Sequence, residues 1–340
     1  MFSSAPPVKA GPAVSRRLVW IDALKGAAIL LVVLGHVWRG LAFGGLVPEG
    51  LFEAVDMRLY AFHMPVFFAA SGFFLARQVT GTSPLPFLRG KVVRLLWPLV
   101  LWTYVFLGAK LLAGRYTNQP VGLADLAVLP VPGILHLWFL WALFLLHLLA
   151  YAALGAGRGR GVTWPRPAGL MAGALALSYL PLSSGIAPWI GPAAHFAPYL
   201  VIGMMLGHMG VGTPVSRPVA WLALLSFAVL VTVLPAVDPP PGLWQTLYSA
   251  LLTASFILAV RGGAEAGLPG TQAAALLGAA SMAIYVCHTI FAAALREGLL
   301  GLGVDRLGGQ LPLGMLAGIA GPLVLYLAAR RLGWIRALGF

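Results

Sequence analysis

The chain has 340 residues, of which 60% are hydrophobic and 9% are charged. Because soluble domains carry about 25% charged residues, this composition excludes an ordinary soluble protein and indicates one that crosses a lipid bilayer several times. A net charge of +13 would suit a nucleic-acid partner in a soluble protein. In a membrane protein, basic residues mark the cytoplasmic loops instead, so no nucleic acid is expected.

The N-terminal residues 1–15 have no helical period and two proline-rich patches, which predicts a disordered cytoplasmic tail. Residues 16–340 are predicted to form a single transmembrane domain. A secretory signal peptide is not expected, because Asp22 and Lys25 interrupt the apolar run. The chain ends soon after its last apolar segment, so no additional soluble domain is expected.

Apolar segments of spanning length, bounded by Gly, Pro and Arg, follow this tail. We predict ten of them, at residues 18–41, 56–78, 92–112, 133–154, 167–183, 194–210, 218–235, 243–261, 273–296 and 311–330. The predicted fold class is an all-α polytopic transmembrane bundle. With the N-terminus in the cytoplasm, 15 of the 22 basic residues fall on the cytoplasmic side and six fall outside, which favours cytoplasmic placement of both termini.

The first predicted helix carries three ionisable residues, Asp22, Lys25 and His36, inside an apolar run. Such residues are costly in a membrane and mark functional sites. Lys25 and His36 are eleven residues apart, so they share one helix face and lie roughly 16 Å apart along its axis. Asp22 is three residues from Lys25 and can pair with it, but at roughly 21 Å it is too far from His36 to orient that imidazole.

Histidines recur at one depth of the predicted bundle. Five of the seven fall in its outer half: His36, His63, His136, His195 and His288. Several imidazoles at one depth predict a polar cavity that opens to the outside. Tyr285 shares a helix face with His288, which fits either this cavity or an ordinary interhelical hydrogen bond.

Two further segments have alternative interpretations. His63 and Ser71 are eight residues apart and close to one helix face, which suits a substrate site, but Ser71-Gly72 could equally be a small-residue packing notch. The stretch from His136 to Trp138 begins a helix. It either lines the same site or anchors aromatic side chains at the membrane surface.

A basic cluster, Arg89, Lys91 and Arg94, precedes the third predicted helix on the cytoplasmic side. This cluster is either a positive-inside anchor or a binding site for a phosphorylated ligand. The sequence contains no H-x-x-x-H or C-x-x-C spacing, so no metal site is predicted. It also contains neither a G-x-S-x-G elbow nor a Walker loop.

Six motifs, in this order, resemble the acyltransferase-3 family of bacterial integral-membrane acyltransferases. They are DALKGAAILLVVLGH, FHMPVFFAASGF, KVVRLLWP, HLWFL, FAPYLVIGMMLG and SMAIYVCH. The family includes sugar and polysaccharide O-acetyltransferases, and FHMP and HLWFL are most similar to its fucose 4-O-acetylase-like branch. The resemblance implies a multi-pass protein of the bacterial cytoplasmic (inner) membrane. It also implies acetyl-CoA as a donor substrate, with no permanently bound cofactor, and a carbohydrate hydroxyl as acceptor.

The resemblance further implies roles for individual residues. His36 matches the family's proposed catalytic histidine, and Lys25 stands where the family has an arginine. His36 would act as general base on the acceptor hydroxyl, with an acyl-histidine route as the alternative. The catalytic candidates are His36, His63 and Asp22; the acyl-CoA candidates are Lys25, Arg89, Lys91 and Arg94; the acceptor candidates are Ser71, His136, Trp138, Tyr285 and His288.

Two other classes of protein compete with the enzyme. Intramembrane Asp, Lys and His also suit a proton-coupled transporter, and a non-catalytic membrane protein of polysaccharide assembly would keep the fold without turnover. The chain has no internal repeat, and its ionisable residues crowd into predicted helices one to four and nine, which favours the acyltransferase. The acceptor stays open among a peptidoglycan sugar, an O-antigen unit, a secreted polysaccharide, a macrolide-like molecule and a lipid-linked sugar. The acyl group is acetyl by default, with succinyl as an alternative.

Overall fold

The computed structural model describes residues 18–117, 120–127, 131–133, 135–155, 166–209, 214–240 and 242–340. The regular structure of these residues is entirely helical, without a strand. The stretch predicted to be a disordered tail, residues 1–15, lies outside the described residues.

Thirteen α-helices run through the described part of the chain. In order they are α1 (Val19–Phe43), α2 (Glu49–Tyr60), α3 (His63–Gly81), α4 (Pro84–Lys91), α5 (Trp97–Ala113), α6 (Trp138–Gly155), α7 (Arg166–Ser178), α8 (Ala187–Met209), α9 (Arg217–Val237), α10 (Leu243–Glu265), α11 (Thr271–Ala279), α12 (Ser281–Gly301) and α13 (Leu307–Leu332). A π-helical turn, Val92–Leu96, joins α4 to α5, and a 3-10 turn, Leu135–Leu137, leads into α6.

Eight stretches of the described residues are long and apolar enough to cross a membrane. They comprise α1, α2 with α3, α4 with α5, α8, α9, α10, α12 and α13. Two shorter apolar helices, α6 and α7, occupy the other two predicted segments. The prediction of an all-α polytopic membrane protein is confirmed.

Two predicted helices, residues 56–78 and 273–296, are each two helices in the structure: α2 and α3 in the first case, α11 and α12 in the second. α11 ends and α12 begins around Ala280, where the chain turns. The turn follows Gly278, whose missing side chain lets α11 lie directly on the backbone of Asp22 in α1. An apolar run without proline gives no sequence signal for such a break.

The first helix, α1, is the centre of the bundle. It packs against α2, α3, α10, α11, α12 and α13. Its contact with α11 is backbone to backbone, because a Cβ added at Gly26 would overlap the carbonyl oxygen of Ala274. Small residues allow such close approach of helices inside a membrane. The end of α1 that carries Lys25 is therefore held by direct backbone contact.

A second glycine-mediated contact joins α3 to α8. A Cβ added at Gly72 would overlap the carbonyl oxygen of Leu200, and one added at Gly203 would overlap that of Ala69. Gly72 is therefore a small-residue packing notch, the alternative that the sequence offered for the Ser71-Gly72 pair.

The C-terminal residues fold back onto the first half of α5. The indole N–H of Trp97 donates to the carbonyl of Ala337 at 2.9 Å, and that of Trp102 donates to the carbonyl of Leu338 at 2.9 Å. The ring of Phe340 stacks on Trp102, with 5.7 Å between centroids. The C-terminus thus lies on the same face as the basic segment before α5, as the predicted topology requires. That this face is cytoplasmic stays a prediction.

Candidate functional site

The face of α1 that carries Lys25 and His36 has different surroundings at its two ends. At one end, Nζ of Lys25 lies 2.8 Å from Oδ1 of Asp22, so the pair expected from their spacing is present. The Asp22 side chain is nearly buried, and that of Lys25 is 33% exposed. At the other end, the side chain of His36 is half-buried. Asp22, which we grouped with the catalytic candidates, therefore lies at the Lys25 end and not beside His36.

Three imidazole rings meet at the His36 end. His36 of α1, His136 of the turn before α6 and His288 of α12 form a triangle, hereafter the histidine triangle. Ring centroids are 5.6 Å apart for His36 and His136, 5.0 Å for His36 and His288, and 5.3 Å for His136 and His288. His136 and His288 are buried. Among the described residues, no group of three or more His, Cys, Asp and Glu side chains is arranged to hold a metal ion.

Backbone carbonyls fix the orientation of His288. Its Nδ1 lies 2.9 Å from the carbonyl oxygens of both Ile284 and Tyr285, so Nδ1 carries the proton and donates the hydrogen bonds. In the neutral ring, Nε2 is therefore an acceptor. Nε2 of His288 and Nε2 of His136 are both buried without a hydrogen-bond partner among the described residues. The histidine triangle thus contains two buried nitrogens whose hydrogen-bonding capacity is unused.

The hydroxyl of Tyr285 donates a hydrogen bond to the backbone carbonyl of His136. This bond ties the turn before α6 to α12, and the two rings lie 5.7 Å apart. Because the hydroxyl is already used within the protein, Tyr285 holds the histidine triangle together in this structure.

His63 begins α3, and its side chain is buried. Its Nδ1–H donates to a backbone carbonyl at 2.6 Å, and its ring meets the ring of Tyr60 edge-on at 4.5 Å. The guanidinium of Arg39 lies 3.4 Å from the centroid of the same Tyr60 ring, and it also binds both oxygens of Asp56, at 2.7 and 2.8 Å. Arg39 and Asp56 are not among the site residues predicted from the sequence. The available signal was the three-residue spacing between His36 and Arg39 on α1.

A cavity of about 770 Å³ borders His36, between α1, α5, α12 and α13. Apolar and aromatic residues form most of its walls: Val37, Leu41, Phe106, Ala109, Ala113, Ile290, Ala292, Ala293 and Ala294. Four charged residues also line it: Arg39, Lys110, Arg296 and Glu297. Exposed Phe43 and Tyr116 mark where the cavity reaches the surface. This size and lining are typical of small-molecule sites.

None of the five acceptor candidates is among the residues that line the cavity, and two of them have partners away from the histidine triangle. Oγ of Ser71 is 2.9 Å from Nε2 of His147, and Trp138 stacks on Phe196 with 5.4 Å between centroids. Neither Ser71 nor Trp138 lines the cavity. His195, which we expected to share a polar cavity with the other histidines, is exposed and packs edge-on against Phe196. Of the five histidines, His36 is the one among the lining residues, and most of the cavity wall is apolar. The prediction of a polar cavity shared by all five is therefore wrong, because depth in the membrane does not determine the direction in which a side chain points.

A family model described as "Acyltransferase domain" matches residues 18–330. The chain belongs to this acyltransferase family. It is similar to nodulation protein NolL of Sinorhizobium fredii, with 29% identity over 216 residues, which cover 61% of this chain and 54% of NolL. It is also similar to NolL of Mesorhizobium japonicum, with 25% identity over 201 residues, which cover 59% of this chain and 48% of that protein. The chain spans about half the length of these curated relatives, and no solved structure matches it.

The basic segment of this acyltransferase lies on other elements than Lys25, which belongs to α1. α4 and the π-helical turn pack against α6, and Nζ of Lys91 donates to Oε1 of Gln78 at 2.8 Å. Lys91 is buried, whereas Arg89 and Arg94 are exposed. The four acyl-CoA candidates thus lie on three elements: α1, α4 and the π-helical turn.

A further cation, Arg261, which is not among the predicted site residues, lies at the Lys25 end of α1. The guanidinium of Arg261 in α10 lies 4.9 Å from the Trp20 ring of α1, and its Nε is 2.7 Å from Oε1 of Glu265. Arg261 is too distant in sequence from α1 for any spacing rule to associate the two.

Proposed function

We propose that this acyltransferase transfers a short acyl group, acetyl by default, from acyl-CoA to a hydroxyl of a cell-envelope or extracellular carbohydrate. The position of His36 carries the proposal: its imidazole borders the cavity, and two buried imidazoles lie behind it. A hydroxyl bound in the cavity would meet a general base there. Membership of the acyltransferase family supports the reaction class.

In the proposed step, a ring nitrogen of His36 takes the proton of the acceptor hydroxyl as the hydroxyl oxygen attacks the thioester carbonyl carbon. A C–O bond forms and the C–S bond breaks. CoA leaves as a thiolate and takes the proton back from His36. General base catalysis by a positioned imidazole contributes about 10²–10⁴ in rate.

His288 is proposed to accept a hydrogen bond during this step. Its Nδ1–H is used on backbone carbonyls of α12, so only the Nε2 lone pair of the neutral ring is free. That lone pair suits the acceptor hydroxyl or an N–H of His36. It does not suit a developing oxyanion, which needs donors. His288, an acceptor candidate in the sequence, is thus proposed to bind a hydroxyl and not an oxyanion.

The acyl-CoA donor is proposed to bind from the opposite face. The exposed guanidinium groups of Arg89 and Arg94, and the ammonium of Lys25, support this placement because they suit CoA phosphates. Lys25 and His36 are separated by roughly 16 Å along α1, a distance that the extended pantetheine arm would cross. The loop charges favour the cytoplasm for this face, and hence the bacterial cytoplasmic membrane for the protein.

The test uses the purified protein in lipid nanodiscs, acetyl-CoA labelled in its acetyl group, and carbohydrate from a cell-envelope extract. The expected result is label in the carbohydrate together with an equal amount of free CoA thiol. A transporter would release no thiol. Absence of both thiol release and label transfer with every envelope fraction would contradict the proposal.

A further inference from the structure

The proposed transfer step needs a fixed hydrogen-bond donor beside His36. When a hydroxyl attacks the thioester, negative charge develops on the carbonyl oxygen, and enzymes stabilise that charge with donors held in place in advance. His36 itself is the proposed base, and the free nitrogen of His288 is an acceptor. The side-chain oxygens of Thr289 and Gln310 are buried. The donor therefore has to come from one of the cations that line the cavity.

Arg39 follows His36 by one turn on α1 and lines the same cavity. Residues three apart on a helix have Cβ atoms about 5–6 Å apart, and long side chains point back toward the N-terminus of the helix. The ring of Tyr60 shows how far back the guanidinium of Arg39 reaches. This ring packs on α1 at Gly35, where an added Cβ would lie 3.4 Å from it, and the guanidinium lies over its centroid. The cation is therefore close to the level of His36.

Two partners fix the orientation of this guanidinium. Nε and Nη2 of Arg39 donate to the two carboxylate oxygens of Asp56, at 2.7 and 2.8 Å, and one face of the group lies 3.4 Å from the centroid of the Tyr60 ring. A carboxylate fork at one edge and a ring against one face together restrain the plane of the group. The third nitrogen, Nη1, donates to none of the described residues. Arg39 thus combines a fixed cation with unused N–H groups.

The other two cations of the cavity lack this combination. Arg296 donates from Nε and Nη2 to Glu297, at 3.0 and 2.7 Å, and from Nη1 to the carbonyl of Gly40 at 3.0 Å, so each of its nitrogens already has a partner. Nζ of Lys110 lies 5.9 Å from the ring of Phe106 on its own helix, and no carboxylate of the described residues forms an ion pair with it. Arg296 is held but occupied, whereas Lys110 is unoccupied but not held.

We propose that Arg39 is a catalytic residue of this acyltransferase and that its Nη1 donates a hydrogen bond to the thioester carbonyl oxygen. This inference rests on the proposed function and adds a residue to its transition state. As the acceptor oxygen bonds to the carbonyl carbon, the π electron pair of the carbonyl moves to its oxygen, where Arg39 stabilises the charge. The pair returns when the C–S bond breaks. Arg39 stays protonated throughout, so the proton transfers at His36 are unchanged.

Asp56 and Tyr60 are positioning residues in this proposal. They hold the guanidinium of Arg39 and do not touch the reacting atoms. Asp56→Asn keeps the size of the side chain but removes its charge and one of the two acceptor oxygens. Its kcat should therefore fall severalfold, with the KM for acetyl-CoA unchanged.

The first experiment measures recognition of the oxyanion without turnover. Acetonyl-CoA is a ketone that cannot transfer its acyl group, because a methylene separates its sulfur from its carbonyl. Trifluoroacetonyl-CoA hydrates readily and presents an acidic tetrahedral hydrate in the same place. Binding of both compounds to the protein in lipid nanodiscs is measured by calorimetry. The wild type should prefer the trifluoro compound at least about tenfold, and Arg39→Gln should lose the preference but still bind acetonyl-CoA.

The second experiment measures turnover and rescue. Arg39→Ala should lower kcat about 10–10²-fold, below the usual effect of an oxyanion donor because the side chain is 45% exposed, and should leave the acceptor KM unchanged. Dilute guanidinium ion should restore part of the kcat of Arg39→Ala and none of that of His36→Gln. Arg306→Gln is the matched control, because it removes an exposed guanidinium that does not line the cavity. It should transfer at the wild-type rate.

The outcomes separate this inference from the proposed function. An equal preference for the trifluoro compound in wild type and Arg39→Gln would overturn the inference alone. A normal kcat with a raised acceptor KM in Arg39→Ala would also overturn it and make Arg39 an acceptor ligand. A wild type that shows the preference but transfers no acetyl group would contradict the proposed function alone. A wild type that binds neither compound would contradict the CoA donor and the inference with it.

Discussion

The two ends of α1 are built in opposite ways. Around Lys25 the helix is packed backbone to backbone against α11, and its charge is neutralised one turn away by Asp22. Around His36 the helix borders a cavity, and the imidazole meets side chains from the turn before α6 and from α12. One end is thus tightly packed and locally balanced in charge. The other combines open space with buried nitrogens that have no partner among the described residues, which is the arrangement expected where a ligand binds.

The largest effect should come from removing the base at the open end. His36→Gln keeps a polar side chain but removes the imidazole, so the rate of acetyl transfer should fall about 10²–10⁴-fold. The exposed His195→Gln is the matched control and should transfer at the wild-type rate. Initial rates of labelled carbohydrate formation measure both. Full activity in folded His36→Gln would remove His36 from the mechanism.

The stability of the protein should be more sensitive to an added side-chain carbon at the Lys25 end of α1 than at an open position. The Cβ of Gly26→Ala would overlap the Ala274 carbonyl, so the variant should lose about 3 kcal/mol or more of unfolding free energy. Gly308→Ala in α13 is the control, because its Cβ meets open space, and it should be neutral or gain at most about 1 kcal/mol. Denaturant titration in mixed micelles measures the difference. Equal stability of the two variants would refute the backbone contact between α1 and α11.

A smaller effect is expected from loosening the histidine triangle. Tyr285→Phe removes the hydroxyl that binds the His136 carbonyl, which should cost about 1–3 kcal/mol of stability. It should also lower kcat severalfold. Tyr151→Phe removes a similar bond, to the Thr82 carbonyl at 3.0 Å, away from the cavity. If Tyr151→Phe loses a comparable amount of stability but keeps its kcat, the lower kcat of Tyr285→Phe comes from the position of the histidine triangle. If the kcat of Tyr151→Phe falls by the same factor, the effect of Tyr285→Phe comes from lost stability instead.

The smallest effect is expected at Ser71. Because Ser71 pairs with His147 and does not line the cavity, Ser71→Ala should cost about 1 kcal/mol of stability. Its kcat and its KM for the acceptor should stay at wild-type values per folded molecule. A raised acceptor KM would restore Ser71 as an acceptor ligand.

Features that depend on local spacing were predictable from the sequence. The spacing of Asp22, Lys25 and His36 places a cation and an imidazole on one helix face, and the Asp22–Lys25 pair is present. The six motifs also identified the family, which the match to residues 18–330 confirms.

Features that depend on how distant segments pack were not predictable. The predicted depth in the membrane placed His136 and His288 near His36, but it placed His195 there as well. Only the fold shows which of these side chains point into the bundle. Ser71 forms a hydrogen bond with His147 because α6 brings the imidazole of His147 to the same depth in the bundle as Ser71. Arg39, the partner of Asp56 and Tyr60, was overlooked because a cation near a helix end is common in membrane proteins.

The most direct test assigns donor binding to the Lys25 end of α1 and turnover to the His36 end, and it measures the two separately. Acetyl-CoA binding and CoA release are measured on Lys25→Ala and His36→Gln beside the wild type. We expect Lys25→Ala to bind acetyl-CoA severalfold more weakly. We expect His36→Gln to bind it like the wild type but to release almost no CoA in the presence of envelope carbohydrate. Normal release by His36→Gln, or a wild type that does not bind acetyl-CoA, would contradict the account.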